Sequence, residues 1–374
     1  MAASGPELKH PRHVVPLTGG KERRAETRWR GESHASVRRG PYPPIEKRCF
    51  SMANELTRLK QQERVDILLA TYNGEQFVQR QIESILEQMD SRCRLLIRDD
   101  GSSDGTRSVV QRFVSRQPRR IMLADDGSGR LGACRSFGRL LEHAEADYVV
   151  FCDQDDVWLP GHISAPLARL KAAEERWGTG VPLLAHTDLV VVDESLRTIA
   201  PSFWSYSNLN PYRGNGLNRL LTQNVVTGSA TMINRSLARL ASPIPHGAVM
   251  HDWWLALVAS AFGRIEAIPE KTVLYRQHAN NCLGATCYGS RYVLRRVKEV
   301  LCRGSTTRCF RRAQRQAVAL LRRFAPDLQP QQQATINAFV NLKSASFFDR
   351  RLLLLKHGFL GTGRLRNLGW LMMI

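Results

Sequence analysis

The stretch YVVFCDQDDVW, residues 148–158, sets an apolar run directly against three carboxylates, Asp153, Asp155 and Asp156. Its first half, YVVFC, reads as a short buried strand, and the acids stand where that strand ends. The stretch belongs to an alternation that begins near Arg64. VDILLA (65–70) reads as a strand and TYNGE (71–75) as its turn. From Gln76 to Gln88, Phe77, Val78, Ile82, Ile85, Leu86 and then Met89 recur at helical spacing. RLLIRDD (94–100) reads as a second strand, GSSDGT leads into a helix near 106–116, RRIMLA (119–124) gives a third strand, and a helix near 133–144 precedes YVVFC. This βαβα order predicts a mainly parallel sheet with helices on its faces. In such sheets ligands bind at the carboxyl ends of the strands, where TYNGE, DDGSSDGT and DQDD all fall. One acidic strand end has a bland explanation, capping of the next helix. Three polar, glycine-containing ends in one half-domain point to a shared site.

The rest of the chain continues with LLAHTDLVVVD (183–193) as a strand and NVVTGSATMINRSLARL (224–240) as a turn, a strand and the start of a helix. HDWWLALVASAFG (251–263) reads as a helix ended by Gly263, and IPEKTVLYRQH (268–278) as a returning strand. The charge divides the chain in three. Residues 1–60 carry 13 Lys/Arg against 6 Asp/Glu, 61–284 carry 24 against 25, and 285–374 carry 17 against 3. The formal net charge of +20 therefore belongs to the two ends, which suggests a self-contained middle domain whose flanks meet something anionic. The first 60 residues, rich in Arg, Pro and Gly, are expected to be disordered and carry no secretory pattern. The tail from 285 reads as helical and basic. The eight cysteines form no CxxC pair and read as scattered reduced thiols, placing the chain in a reducing compartment. No apolar run reaches the roughly 18 residues that a membrane span needs.

Asp153 and Asp155 lie two apart, so in extended backbone they point the same way. Carboxylates held close repel unless a cation or a shared proton relieves them. Mg²⁺ or Mn²⁺ suits such ligands and also binds substrate phosphates. A metal would make this negative pocket tolerant of a pyrophosphate.

TYNG, then DDGSSDGT some 30 residues on, then an apolar strand into DQDDVW, resembles the family 2 inverting glycosyltransferases. NVVTGSATMINR, HDWW and YRQHANNCLG are similar to the branch that includes bacterial rhamnosyltransferases of O-antigen and other cell-surface polysaccharides. The resemblance covers about 65–285. It implies an α/β fold of the GT-A type, a Rossmann-like, mainly parallel sheet with flanking helices, to which this chain adds a helical basic C-terminal extension. It also implies roles. Thr71, Tyr72, Asn73 and Glu75 would line the nucleoside site, and Asp99 or, by preference, Asp100 would bond the pyrimidine. Gly132 would approach the nucleotide. Asp153 and Asp155 would form the DXD element, with Asp155 the direct metal ligand and Asp153 on the ribose or the ligand shell. His278 would complete the metal shell and Arg276 would contact phosphate.

Asp252 would be the catalytic base, since an inverting transfer needs one group to take the acceptor hydroxyl proton. Many relatives have Glu-Asp where this chain has His251-Asp252, so His251 would either tune the acceptor pocket or pack at the helix start. Thr227 and Gly228 would lie near the acceptor. Trp253 and Trp254 could stack on sugar, although adjacent helical residues diverge and one of them belongs in the core. The implied reaction moves a sugar, by preference L-rhamnose from dTDP-L-rhamnose, to a lipid-linked glycan, with UDP- and GDP-sugars as alternatives. The basic tail, with Ala313, Ala317, Leu320 and Leu321 able to share one helix face, suits an anionic membrane surface on its cytoplasmic side. Rival readings are a nucleotidyltransferase or phosphohydrolase on the same fold, and a nucleic-acid-binding protein. The first leaves HDWW without a task. The second lacks a recognised module and interleaved aromatic residues.

Overall fold

The computed structural model describes residues 63–279, 281, 305–363, 367 and 371. The expected disorder of 1–60, and the part of the helical basic tail over 285–304, lie outside them. Strands β1 (Val65–Thr71), β2 (Cys93–Asp99), β3 (Ile121–Leu123) and β4 (Tyr148–Cys152) are mutually parallel, in the order β3-β2-β1-β4. They are joined through α1 (Glu75–Leu86), α2 (Thr106–Arg116) and α3 (Ala133–His143). β1 buries every residue but Ala70, as expected for a strand covered on both faces. Its Val65, Ile67 and Leu69 enter one apolar cluster with α1 and α2, while Leu68 enters a second cluster with α3. Register sets Thr71 opposite Asp99 and Leu69 opposite Cys152, so the polar segments after these strands leave the sheet side by side.

Beyond β4 come β5 (Val157–Trp158), β6 (Leu183–Val192), β7 (Thr198–Ala200), β8 (Thr231–Asn234) and β9 (Arg264–Arg276). The described residues form one nine-stranded sheet, β3-β2-β1-β4-β8-β6-β9-β5, with β7 on β6. β8 runs antiparallel to both β4 and β6, so the sheet is mainly, not wholly, parallel. Sequence reading gave β8 its place in the chain but not its direction. It also began the last strand at Ile268, four residues inside the observed β9, and did not anticipate β5, β7 or the single helical turns Phe203–Tyr206, Pro211–Gly214 and Leu217–Leu220.

Helices α4 (Ser164–Trp177), α5 (Arg235–Ala241) and α6 (His251–Phe262) complete the middle of the chain. They are followed by α7 (Ser305–Phe324), α8 (Pro330–Asn341) and α9 (Phe347–Lys356). The C-terminal helices share a core with α6. Phe310, Ala313, Ala317, Leu320 and Phe324 of α7 are buried in the same cluster as Trp254, Leu257 and Val258. The apolar face of α7, expected to suit a membrane surface, is therefore covered by protein. Among the described residues no helix is long and apolar enough to cross a membrane.

α6 ends at Gly263, where the chain turns directly into β9 beside β6. A Cβ at Gly263 would sit 1.7 Å from the Pro182 carbonyl oxygen, which itself accepts the Arg264 N–H at 3.0 Å. Backbone cannot yield as a flexible side chain does. Gly263→Ala is therefore expected to cost about 1–3 kcal/mol, as overpacking of a closed site does, read from the urea midpoint.

Candidate active site

The turns after β1 and β2 are stitched together by side chains. Thr71 Oγ1 donates to Asp99 Oδ1 (3.0 Å), and the Ser102 N–H and hydroxyl also donate to Asp99. Asn73, at φ 46°, donates its N–H to Ser102 Oγ and accepts the Ser103 N–H at Oδ1. Its left-handed backbone is one that Asn adopts at small cost. Glu75 Oε2 accepts the Gly105 N–H (2.8 Å), while the Glu75 N–H donates to Asp104. Asn73, Glu75 and Asp99 thus hold two turns to one another. Asn73 and Glu75 line an outer depression with Tyr72, Asp104 and His278, and Asp99 is not among the cavity residues. Gln154, between the first two acids of the 153–156 loop, clamps that loop to β1. It accepts the Tyr72 N–H (2.8 Å) and donates to the Tyr72 carbonyl (2.9 Å).

Where these ends meet lies a cavity of about 420 Å³. One wall carries Thr71, Tyr72, Asp100, Gly132, Asp153 and Asp155, and the other carries Thr227, Gly228, His251 and Asp252. Arg130, Gln154, Asn224, Met250, Tyr275 and Asn281 also line it and were not singled out from sequence. Gln154, Tyr275 and Asn281 stand inside the motifs DQDD, YRQH and HANN, so their signal was present.

Asp100 is almost wholly committed to protein. Oδ1 accepts from Arg98 (2.7 Å), the Leu131 N–H (2.7 Å) and Ser136 (2.9 Å), and Oδ2 accepts the Gly132 N–H (2.7 Å). Burial alone would raise its pKa, yet these N–H groups and the Arg98 guanidinium hold it below the usual carboxylate range. Arg98, equally buried, also donates to Asp126 and to the Gly129 carbonyl. The carboxylate expected on a pyrimidine therefore shapes the loop over 129–132, in which Gly132 adopts φ 82°.

The acidic loop is braced from β9. The Arg276 N–H donates to Asp156 Oδ1 (3.1 Å), and its guanidinium donates to the Asp155 carbonyl (2.7 Å) and to the Glu194 carbonyl. Arg276, expected on a phosphate, is instead bonded to the loop from behind and is not among the residues lining the cavity. His278 Nε2 lies 2.8 Å from Asp155 Oδ2, and Asn281 donates to the same oxygen at 3.2 Å. Burial, then Asp155 and Asp252, push Asp153 up to about 7. Burial, then Asp155 and Asp153, raise Asp156 well above its usual range. Such crowding of carboxyl groups is what a hard divalent cation relieves, and Asp153, Asp155 and the adjacent His278 nitrogen are suitable donors. Among the described residues no three His, Cys, Asp or Glu side chains are close enough to enclose an ion unaided. An ion that keeps water and phosphate ligands does not need them to be.

Asp252, in the first turn of α6, accepts the Gly228 N–H at Oδ2 (3.1 Å) and its neighbour Trp253's N–H at Oδ1 (2.6 Å). Burial pushes its pKa up to about 7, against those two N–H bonds. Gly228, expected near the acceptor, lines the cavity. A Cβ there would lie 2.8 Å from His251 Nε2, so the missing side chain makes room for His251. His251 packs on Phe137 (4.0 Å between ring centroids) and Phe151 (5.0 Å), and burial lowers it to about 3, leaving a neutral ring. Of the two tryptophans, Trp254 is fully buried and donates to the Ala241 carbonyl. Trp253 donates to the Leu220 carbonyl. Neither lines the cavity, because α6 enters the second cluster with both of these faces.

Residues 66–239 match the family described as Glycosyl transferase family 2, which stops short of α6 and Asp252. The dTDP-rhamnosyl transferase RfbG of Shigella flexneri is 28% identical over 222 residues, covering 58% of this chain and 74% of that protein. The UDP-Glc:alpha-D-GlcNAc-diphosphoundecaprenol beta-1,3-glucosyltransferase WfgD of Escherichia coli is 30% identical over 106 residues, 28% of this chain and 40% of that one. Among solved structures, the mannosyltransferase PcManGT from Pyrobaculum calidifontis, in complex with GDP-Man and Mn²⁺, aligns with a TM-score of 0.46 at 16% identity. That alignment spans 87% of this chain and 91% of that one.

Removing Asp100 would leave the Arg98 guanidinium buried with one partner fewer. Asp100→Ala is expected to cost about 3–5 kcal/mol in chemical denaturation, the usual result of breaking a buried ion pair from one side.

Proposed function

Because this chain carries a glycosyltransferase family 2 domain and is a glycosyltransferase, we propose that it is an inverting, divalent-metal-dependent enzyme. Its preferred donor is dTDP-L-rhamnose and its acceptor a growing lipid-linked glycan at the cytoplasmic face of an anionic membrane. The observation that carries this reading is that the Asp252 carboxyl, raised to about 7, opens into the same cavity as Asp153 and Asp155. A base and a diphosphate-tolerant acidic pair thus face one space large enough for a nucleotide sugar.

Thr71, Tyr72, Asp100 and Gly132 would receive the nucleoside, with Arg130 stacked over the Tyr72 ring at 4.1 Å. Asn73, Glu75 and Asp99 would support that wall from behind, and Arg276 would fix the acidic loop. Asp153, Asp155 and His278 would hold the metal, which when bound neutralises charge on the diphosphate. Thr227, Gly228 and His251 would face the acceptor. Among the described residues the buried ring nitrogens of His251 have no hydrogen-bond partner, and burial keeps the ring neutral beside the cavity. Trp253 and Trp254 would act at one remove, by anchoring α6. In the transfer, the acceptor oxygen forms its bond to C1 from the face opposite the diphosphate, and Asp252 takes the proton. The C1–O bond breaks with its electron pair on the departing nucleoside diphosphate. No covalent enzyme intermediate is needed. The rhamnose assignment is supported by the RfbG similarity, and WfgD keeps a UDP-sugar open.

Purified chain incubated with a panel of dTDP-, UDP- and GDP-sugars and a lipid-linked glycan extract should release nucleoside diphosphate from one donor only in the presence of acceptor. EDTA should stop the release, and Mn²⁺ or Mg²⁺ should restore it. Turnover of a UDP-sugar but not of dTDP-L-rhamnose would overturn the sugar while leaving the reaction class. Asp252→Asn should lower kcat by at least about 100-fold with donor affinity nearly unchanged, as loss of a general base does. A base works deprotonated, so kcat/KM of the native chain should fall as pH drops through about 7.

A further inference from the structure

α9 has one face inside the protein and another that stays exposed among the described residues. Leu354 is fully buried in the cluster that holds Phe339 and Phe359, which fixes the helix's rotation. On the outer side Phe348, Leu352 and Leu355 are 81%, 64% and 60% exposed, with Phe347 beside them at 57%. Positions 348, 352 and 355 are spaced i, i+4, i+7 and form a single stripe. Scattered exposed leucines are ordinary, but a continuous Phe-Leu-Leu stripe on one helix marks an interaction surface.

The surrounding charge selects the occupant. At about 100° per residue, Arg351 and Lys356 fall on opposite sides of the stripe. Lys343 is exposed just before the helix. The sole acid in α9 is Asp349, which accepts from the Ser346 hydroxyl and is held at the helix start. Residues 285–374 carry 17 Lys/Arg against 3 Asp/Glu. An apolar ridge with cations along its flanks fits the interface of an anionic bilayer, with Phe and Leu below the headgroups and Lys/Arg at the phosphates. The alternative of α7 lying in the interface is removed by its buried face.

We propose that α9 is the membrane-docking element of this chain, inserting Phe348, Leu352 and Leu355 into an anionic lipid surface. This rests on the membrane part of the reading above but not on the sugar or the chemistry. The test is flotation of the full chain with vesicles of phosphatidylcholine, alone or mixed with phosphatidylglycerol, without donor or acceptor. The native chain should float with the mixed vesicles and lose binding as salt is raised. Phe348→Ser/Leu352→Ser should bind more than tenfold more weakly at an unchanged thermal midpoint, both side chains being exposed in the fold. Arg351→Gln/Lys356→Gln should lose the preference for phosphatidylglycerol. Equal binding by the native chain and the serine variant would overturn the assignment to α9 and leave the membrane reading to other basic segments. Binding by neither would overturn both. A native dimer that the serine variant converts to monomer, with vesicle binding unaltered, would give the face to a second copy of the chain instead.

Discussion

Four carboxyl groups gathered around one small space, Asp153, Asp155, Asp156 and Asp252, are the constraint that organises the molecule. Like charges in a sheltered place resist being brought together, as the raised Asp153 and Asp156 show. Something in the fold must hold them there. The backbone of β4 delivers three of them, Arg276 bonds the loop from behind, and Gln154 ties it to β1. The fourth arrives on α6, whose position is set by Trp254 in the core and by Gly263 closing onto Pro182. An arrangement so strained electrostatically persists because apolar packing on both faces of the sheet outweighs it.

The other buried ionic group works differently. Arg98, Asp100 and Asp126 satisfy one another almost completely, and the result is a fixed loop over 129–132. A satisfied network specifies a shape, whereas the crowded acids stay at odds with their burial and with one another. The two lie at the ends of β2 and β4, which flank β1 in the same parallel run, so a rigid rim stands across β1 from the crowded acids.

Much of this was legible in the sequence because parallel strands announce themselves. VDILLA, RLLIRDD and YVVFC are continuous apolar runs ending in polar turns, and their order alone places TYNGE, DDGSSDGT and DQDD at one edge. The α6 helix and its Gly263 stop were readable for similar reasons. What escaped was everything settled by long-range pairing. TMIN is too short to show its direction, and β5 and β7 are too short to show a period. Arg276 and Asp100 look like ligand contacts in one dimension because nothing local shows that Asp155, Glu194, Leu131 and Gly132 will claim them. One of Trp253 and Trp254 was expected in the core, but that it is Trp254 is settled only by the C-terminal helices that close over it. The residues of α7 that cover it lie more than 50 positions away.

The antiparallel β8 has a further meaning. It joins β4, the edge of the four parallel strands built from residues 65–152, to β6, and segments on both sides of it line the cavity. The two sides are in direct contact there, since His251 packs on Phe137 and Phe151. A substitution at any of these three rings is therefore felt on both sides of the cavity. Positions 137, 151 and 251 are thus expected to vary together across a lineage rather than one at a time.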